Sequence, residues 1–302
     1  MLSNYSDKSK KPRLFKYRNA KSAFAMMAPA VLLLLIFAYI PLAMAIVRSF
    51  QNYTTGEFVW FDNYDYIVKT PSFTKAFGNV ILFTAIIVVA QMVLSFFFAH
   101  VLKAINAKVA NAVKILLYVP CLISGVVASI IFMFILNYGG GLITSILIGL
   151  DIDPIAFATE GYWPIACVIV PTWWLGFGYN TLVMYAGLLN VPKSYYEAAQ
   201  IDGAGFFKQM IYVTIPYMKN IFILSLINLI TGSLQMLDIP YMITGGGPLD
   251  MTMTPSLYLF NSFRDVNRPQ NVTIAGSILI MIVIVTINII AFKCIHSEKM
   301  ED

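Results

Sequence analysis

Long apolar runs alternate along the chain with short polar stretches. A helix needs about 20 residues to cross roughly 30 Å of hydrocarbon, and the segments near 24–47, 79–102, 113–136, 164–189, 218–238 and 273–295 meet that length. The pattern predicts an all-α polytopic membrane protein with six transmembrane helices. Basic residues precede the first run, as they would in a signal peptide. That run is too long for one, no small-residue cleavage site follows it, and Pro29 and Pro41 lie within or at its ends, so it reads as a retained anchor. Two connections, 48–78 and 190–219, exceed a plain loop, so structure is expected on both sides of the membrane.

Polar residues inside the runs are costly in lipid, and their angular placement shows which face avoids it. In the fifth run Ser225, Asn228, Thr231, Gly232, Gln235 and Asp238 share one stripe of a 3.6-residue helix. In the fourth, Trp173, Phe177, Asn180, Thr181 and Met184 share one face, with Trp174 and Tyr185 on its flank. Aromatic faces stack on pyranose rings, and amides and carboxylates bond hydroxyls, so the combination suits a neutral sugar. The alternative for both stripes is helix packing, in which small residues allow close approach and amides bond across helices. Gln91 and Asn288 are lone polar residues expected to bond between helices, and His100 is expected at an interface.

Composition narrows the class. With 59% hydrophobic and 12% charged residues, the chain cannot cover a water-soluble exterior. Of its 20 lysines and arginines, seven fall between Lys8 and Lys21, which is a topology signal and not a nucleic-acid site. Alternate loops carry 15 basic residues on one side and five on the other, placing both termini in the cytoplasm. Cys121, Cys167 and Cys294 lie in apolar stretches without metal or disulfide spacing. No metal-ligand cluster or nucleophile with a nearby base is present, so neither a metal site nor an enzyme is expected. Ion channels and secondary transporters share this composition. There is, however, no arginine ladder, selectivity-filter sequence or acidic ring within a span, and the one candidate carboxylate, Asp238, lies at a span end.

The 190–219 stretch carries the most local information. Pro192 discourages earlier helix, Ser194 can cap, and Glu197 three residues later completes a capping box. Ala198 and Ala199 propagate the helix, and Gly203 and Gly205 interrupt it before Pro216. A helical elbow on the cytoplasmic face is expected.

Glu197-Ala198-Ala199, then Gly203 after three intervening residues and Val213-Thr214-Ile215-Pro216 after nine more, resemble the E-A-A-x3-G-x9-I-x-L-P signature of the membrane subunits of ATP-binding-cassette importers. Val213 and Ile215 are conservative departures from it. Ile201-Asp202-Gly203-Ala204 is similar to the carbohydrate-uptake branch, the maltose and glycerol-phosphate type. So is Thr244-Gly245-Gly246-Gly247-Pro248, followed by Thr252, Thr254, Tyr258 and Phe260, and so are Tyr39-Ile40-Pro41-Leu42 and Phe61-Asp62-Asn63-Tyr64.

The resemblance implies a basic cytoplasmic tail (1–22) and a six-span permease domain (23–302) whose coupling loop is 190–219. It implies ATPase coupling through Glu197, Ala198, Ala199, Asp202 and Gly203, and it places solute contacts on the fourth and fifth spans without fixing the side chains, where the two stripes give Asn180, Gln235, Asn228, Trp173, Phe177 and Asp238 as the expected substrate path. The expected partners are a second, similar permease chain, two ATPase subunits, an extracytoplasmic solute-binding protein and the lipid bilayer of a bacterial or archaeal cell. The chain has no Walker motif, so ATP and Mg would be bound by the ATPase subunits and no cofactor by this chain. Gly245, Gly246, Gly247 and Pro248 fall on the external side and read as a tight turn, not a phosphate cradle.

Overall fold

The computed structural model describes residues 20–296. Most of the basic stretch assigned to 1–22 lies outside the described residues, as does Lys299. The chain divides into two compact units, one ending at Arg48 and the other beginning at Ser49. The first contains an apolar helix with a π turn, Leu35–Tyr39, immediately before Ile40-Pro41. Pro41 has no N–H for the carbonyl four residues back, and the Ile40 N–H reaches back five residues to Leu35.

Among the described residues, counting the first span, Phe24–Ser49, five helices are long and apolar enough to cross a membrane, or six if a bent pair is taken as one span. The second, Pro71–Ala104, starts well before the apolar run at 79, because Thr70 is extended and Pro71 takes a first-turn position whose N–H is not needed. The run at 113–136, expected as one straight span, is instead Ala107–Leu122 and Gly125–Ile135, meeting at 99°. Pro120 lies in the 3₁₀ turn that ends the first piece, and Ser124 opens the second by accepting a hydrogen bond from the Val127 N–H at 3.3 Å. The fourth span is Trp163–Asn190, the fifth Lys219–Ile243, and the last helix runs over Gln270–His296.

The second span packs mainly against the fourth and fifth, and three buried clusters are strung along its length. Phe73 meets Ile67, Tyr258, Leu259 and Val272 at one end. In the middle, Phe83 and Ile87 meet Val168, Met236 and Ile239. At the far end Ala99 meets Met184, Leu188, Val191 and Met218. Lipid is as apolar as these side chains, so helices associate through close packing and not through expulsion of water. Small residues set that closeness: Ala76, Ala99 and Ala128 are fully buried, and a Cβ at Gly178 would run into the Leu117 carbonyl. Two interhelix bonds expected from the sequence are present, Gln91 Nε2 to the Trp173 carbonyl (3.3 Å) and Thr231 Oγ1 to Asn288 Oδ1 (3.1 Å).

Both long connections contain structure. Residues 51–58 close a short hairpin through one antiparallel bridge, and helix Asp62–Lys69 follows. Asn63 Nδ2 donates to the carbonyls of Ser49 (2.8 Å) and Gln51 (2.9 Å), and Asn271 Nδ2 also donates to Gln51 (2.8 Å), which ties the hairpin to the start of the last helix.

Candidate functional site

The elbow is helix Lys193–Ile201. Its start corrects the expected capping box. Pro192, extended at φ −60 and ψ 138, is the N-cap, so Ser194 already lies inside the first turn and makes no cap bond. Proline has no N–H to lose and its ring pre-sets φ, so the helix starts two residues sooner than with a cap at Ser194. Glu197 is therefore not engaged in capping and stands exposed.

The end of the elbow explains the spacing from the Glu-Ala-Ala triplet to Gly203. The Gly203 N–H bonds to the Gln200 carbonyl (3.0 Å) and the Ala204 N–H to the Ala199 carbonyl (2.9 Å). This is the paired C-terminal closure that requires a left-handed residue between them. Gly203 supplies it at φ +73, with open space around its Cα. Gln209 Nε2 then donates to the Ala204 carbonyl (2.8 Å) and the Tyr196 and Thr214 hydroxyls meet at 2.9 Å, locking the elbow to the returning chain. That return passes through a second π turn, Met210–Thr214, again immediately before an Ile-Pro pair, Ile215-Pro216. Of the five residues assigned to coupling, Glu197, Ala198, Asp202 and Gly203 are exposed and Ala199 is half-buried. Ile201, beside them, is 87% exposed, a large apolar side chain on a polar element.

The stripe on the fifth span is not one continuous helical face. The helix stops at Leu234, Gln235 is its C-cap, and a new short helix begins at Asp238. Asn228, Gly232, Gln235 and Asp238 are exposed, and the side chains of Asn228, Gln235 and Asp238 form no hydrogen bond among the described residues, whereas Ser225 is buried and Thr231 turns to Asn288. Asp238 packs on the first residue of the second piece of the bent span, its Oδ2 3.1 Å from where a Cβ on Gly125 would stand. The breaks in the third and fifth spans thus lie side by side. Nothing in the sequence pairs Gly125 with Asp238, since the two are far apart along the chain.

On the fourth span the face looks into the chain's own packing. Phe177, Asn180, Thr181 and Met184 are buried, and Trp173 is half-buried and stacked on Phe177 at 4.7 Å. Asn180 Nδ2 donates to the Gly176 carbonyl one turn back (2.9 Å), while its Oδ1 and Trp173 Nε1 have no partner. No hydrogen bond joins this face to Gln235 or Asp238 among the described residues. Neither of the two cavities of roughly 600 Å³ is lined by any of the six path residues.

The glycine loop is held rigidly. The Thr244 and Thr252 hydroxyls lie 2.6 Å apart, and Thr252 Oγ1 donates to the Gly247 carbonyl at 2.9 Å. From the start of the second span, Lys75 Nζ donates to the Leu249 carbonyl (2.6 Å) and Asn79 Nδ2 to those of Asp250 (2.6 Å) and Met253 (2.9 Å). Leu249 and Asp250 take left-handed backbones, φ +47 and +60, and so extend the turn beyond the four residues assigned to it. Sequence reasoning missed Lys75 and Asn79, whose only signal was polarity ahead of an apolar run.

Residues 92–295 match the family described as binding-protein-dependent transport system inner membrane component. The chain is 30% identical to the sulfoquinovosyl glycerol transport system permease protein SmoG of Agrobacterium fabrum, over 81% of this chain and 82% of that one. It is also 30% identical to the arabinooligosaccharides transport system permease protein AraP of Bacillus subtilis, over 94% and 92%. With the lactose transport system permease protein LacF of Rhizobium radiobacter the identity is 29%, over 80% and 84%. In fold it resembles a chain of a bacterial ABC transporter involved in the import of the acidic polysaccharide alginate, with a TM-score of 0.77 at 19% identity over 92% of this chain and 96% of that one.

Proposed function

The chain belongs to the binding-protein-dependent transport system inner membrane components, and from that premise we propose how its parts divide the work of an ATP-driven sugar importer. It is a multi-pass membrane permease subunit, not an enzyme. It forms half of an alternating-access path, and a second, similar permease chain completes it. Two ATPase subunits dock on the elbow side, binding ATP and Mg, and a solute-binding protein delivers sugar on the side of the glycine loop. Both termini lie in the cytoplasm, as the 15 to five division of basic residues supports.

The observation that carries the path is the exposed polar edge Asn228, Gln235, Asp238 on an otherwise apolar span. Polar side chains without a hydrogen-bond partner among the described residues are costly against lipid, and a wet path shared with the second permease accommodates them. The solute is an uncharged sugar. Residues 163–190 contain no lysine or arginine, nor do 220–243, where Asp238 is the single charge. A phosphate, sulfonate or uronate would therefore meet a carboxylate and no cation on this half of the path.

Gln235 provides the test. In the whole importer reconstituted with its binding protein, Gln235→Leu leaves sugar hydroxyls unpaired, a loss of about 1 to 3 kcal/mol, or roughly 5- to 150-fold in transport. Uptake should fall while docking of the binding protein is unchanged. Wild-type uptake from a properly assembled variant would remove this edge from the path.

A further inference from the structure

At the elbow end of the second span, Val93, Phe96, Phe97, His100, Val101 and Ala104 fall on one helical stripe and form one wall of a groove of about 610 Å³. The other wall is Tyr196 of the elbow helix with Phe206, Phe207 and Met210 of the returning chain. The groove is almost wholly apolar along its length. His100 closes part of the floor, its ring 4.4 Å from Phe96 and 6.0 Å from Phe206.

Charge gathers at one end. Lys103 Nζ lies over the Tyr196 ring at 4.7 Å and reaches the Leu188 carbonyl only at 3.5 Å. Lys193, at the start of the elbow helix, is near enough to repel it. No carboxylate pairs with either lysine among the described residues. Lys103 therefore stands at an apolar groove without a carboxylate partner among the described residues, and Lys193 is close enough to add to its positive field.

The dimensions select the occupant. From Val93 to Ala104 the helix rises about 16 Å, close to half of the roughly 30 Å hydrocarbon thickness, the depth of one leaflet. Val93, Phe97 and Val101 stand exposed along that length, and an acyl chain one methylene wide can lie against them. We propose that the groove holds one anionic phospholipid of the elbow-side leaflet, its acyl chain along the Val93 to Val101 stripe and its phosphate at Lys103 and Lys193. The lipid bridges the second span and the elbow's return and so supports the posture of the elbow.

The complete importer, in mild detergent with equal amounts of phosphatidylglycerol and phosphatidylcholine, is examined by native mass spectrometry. Phosphatidylglycerol should be retained preferentially, and Lys103→Gln should cut that preference about fivefold, the effect of one lysine on an anionic lipid, while Lys103→Arg keeps it. Val101→Trp, which fills the groove, should lower retention of both lipids. A photoreactive residue at Phe97 should give an adduct of lipid mass. Equal retention of the two lipids by the unmodified importer, unchanged preference in Lys103→Gln, or a Phe97 adduct of polypeptide mass would each overturn the assignment, the last in favour of a helix of the second permease.

Discussion

Asn180 and Gln235 carry the same amide in opposite surroundings. The Gln235 side chain stands exposed at a helix end with no hydrogen bond among the described residues. Asn180 is 4% exposed, with its Oδ1 unsatisfied. An unpaired buried acceptor costs about 1 to 3 kcal/mol, so Asn180→Leu, similar in volume, should leave the melting temperature of the complex unchanged or raise it. If Asn180 also serves the solute when the path opens, uptake falls in the same variant. Unchanged uptake with a raised melting temperature would make Asn180 a packing residue alone. Asp238 separates charge from hydrogen bonding: Asp238→Asn can still bond sugar hydroxyls and should keep most neutral-sugar uptake, whereas Asp238→Leu should lose about fivefold or more. Equal loss in both would mean that the carboxylate itself is required, through its packing on Gly125 or its charge. At this scale the sequence was legible for residue type and blind to environment. The stripe arithmetic gave Ser225 and Gln235 equal standing, and only neighbours from other helices made one buried and the other open.

The elbow shows how an element's end is encoded. Its length is set by Pro192 at one end and Gly203 at the other. A non-glycine residue forced into the left-handed region costs about 1 to 2 kcal/mol, and nothing else crowds Gly203. Gly203→Ala should loosen the elbow's end and reduce ATPase stimulation by the binding protein, while Gly203→Asn, which tolerates that backbone, should retain it. Equal activity of the two variants would show that the turn's hand is irrelevant to coupling. The contact between the third and fourth spans is a different case, since a Cβ on Gly178 meets backbone, which cannot rotate away. Overpacking typically costs about 1 to 3 kcal/mol, and Gly178→Val should lower the melting temperature of the assembled importer with Gly203 variants unaffected. Elements whose ends carry proline or glycine were readable in advance. The bend at Ile123-Ser124 was not, because Pro120 and Ser124 sit inside a run that is apolar enough for a straight span.

For the whole molecule, the basic-residue division predicts that a cysteine at Asp151 and one at Gly203 react with membrane-impermeant reagent from opposite sides. Labelling of both from one side would overturn the orientation, and with it the placement of the ATPase subunits. The clamp from Lys75 and Asn79 onto the glycine loop joins the second span to the connection between the last two. A contact across so much sequence arises only once the spans have packed.

The sequence by itself determined what depends on local composition and period: the apolar lengths, the positive-inside division, the elbow with its glycine end, and the family signature. These follow from the cost of moving polar groups into hydrocarbon and from backbone sterics, both of which act within a few residues. Tertiary structure decided which polar faces are open, where the third span bends, that its break meets the break in the fifth at Gly125 and Asp238, and that Lys103 stands at an apolar groove. In a bilayer, lipid and protein interior are equally apolar, so hydrophobicity does not tell a side chain which of the two it faces. Shape complementarity between distant helices makes that choice, and it exists only in the packed chain.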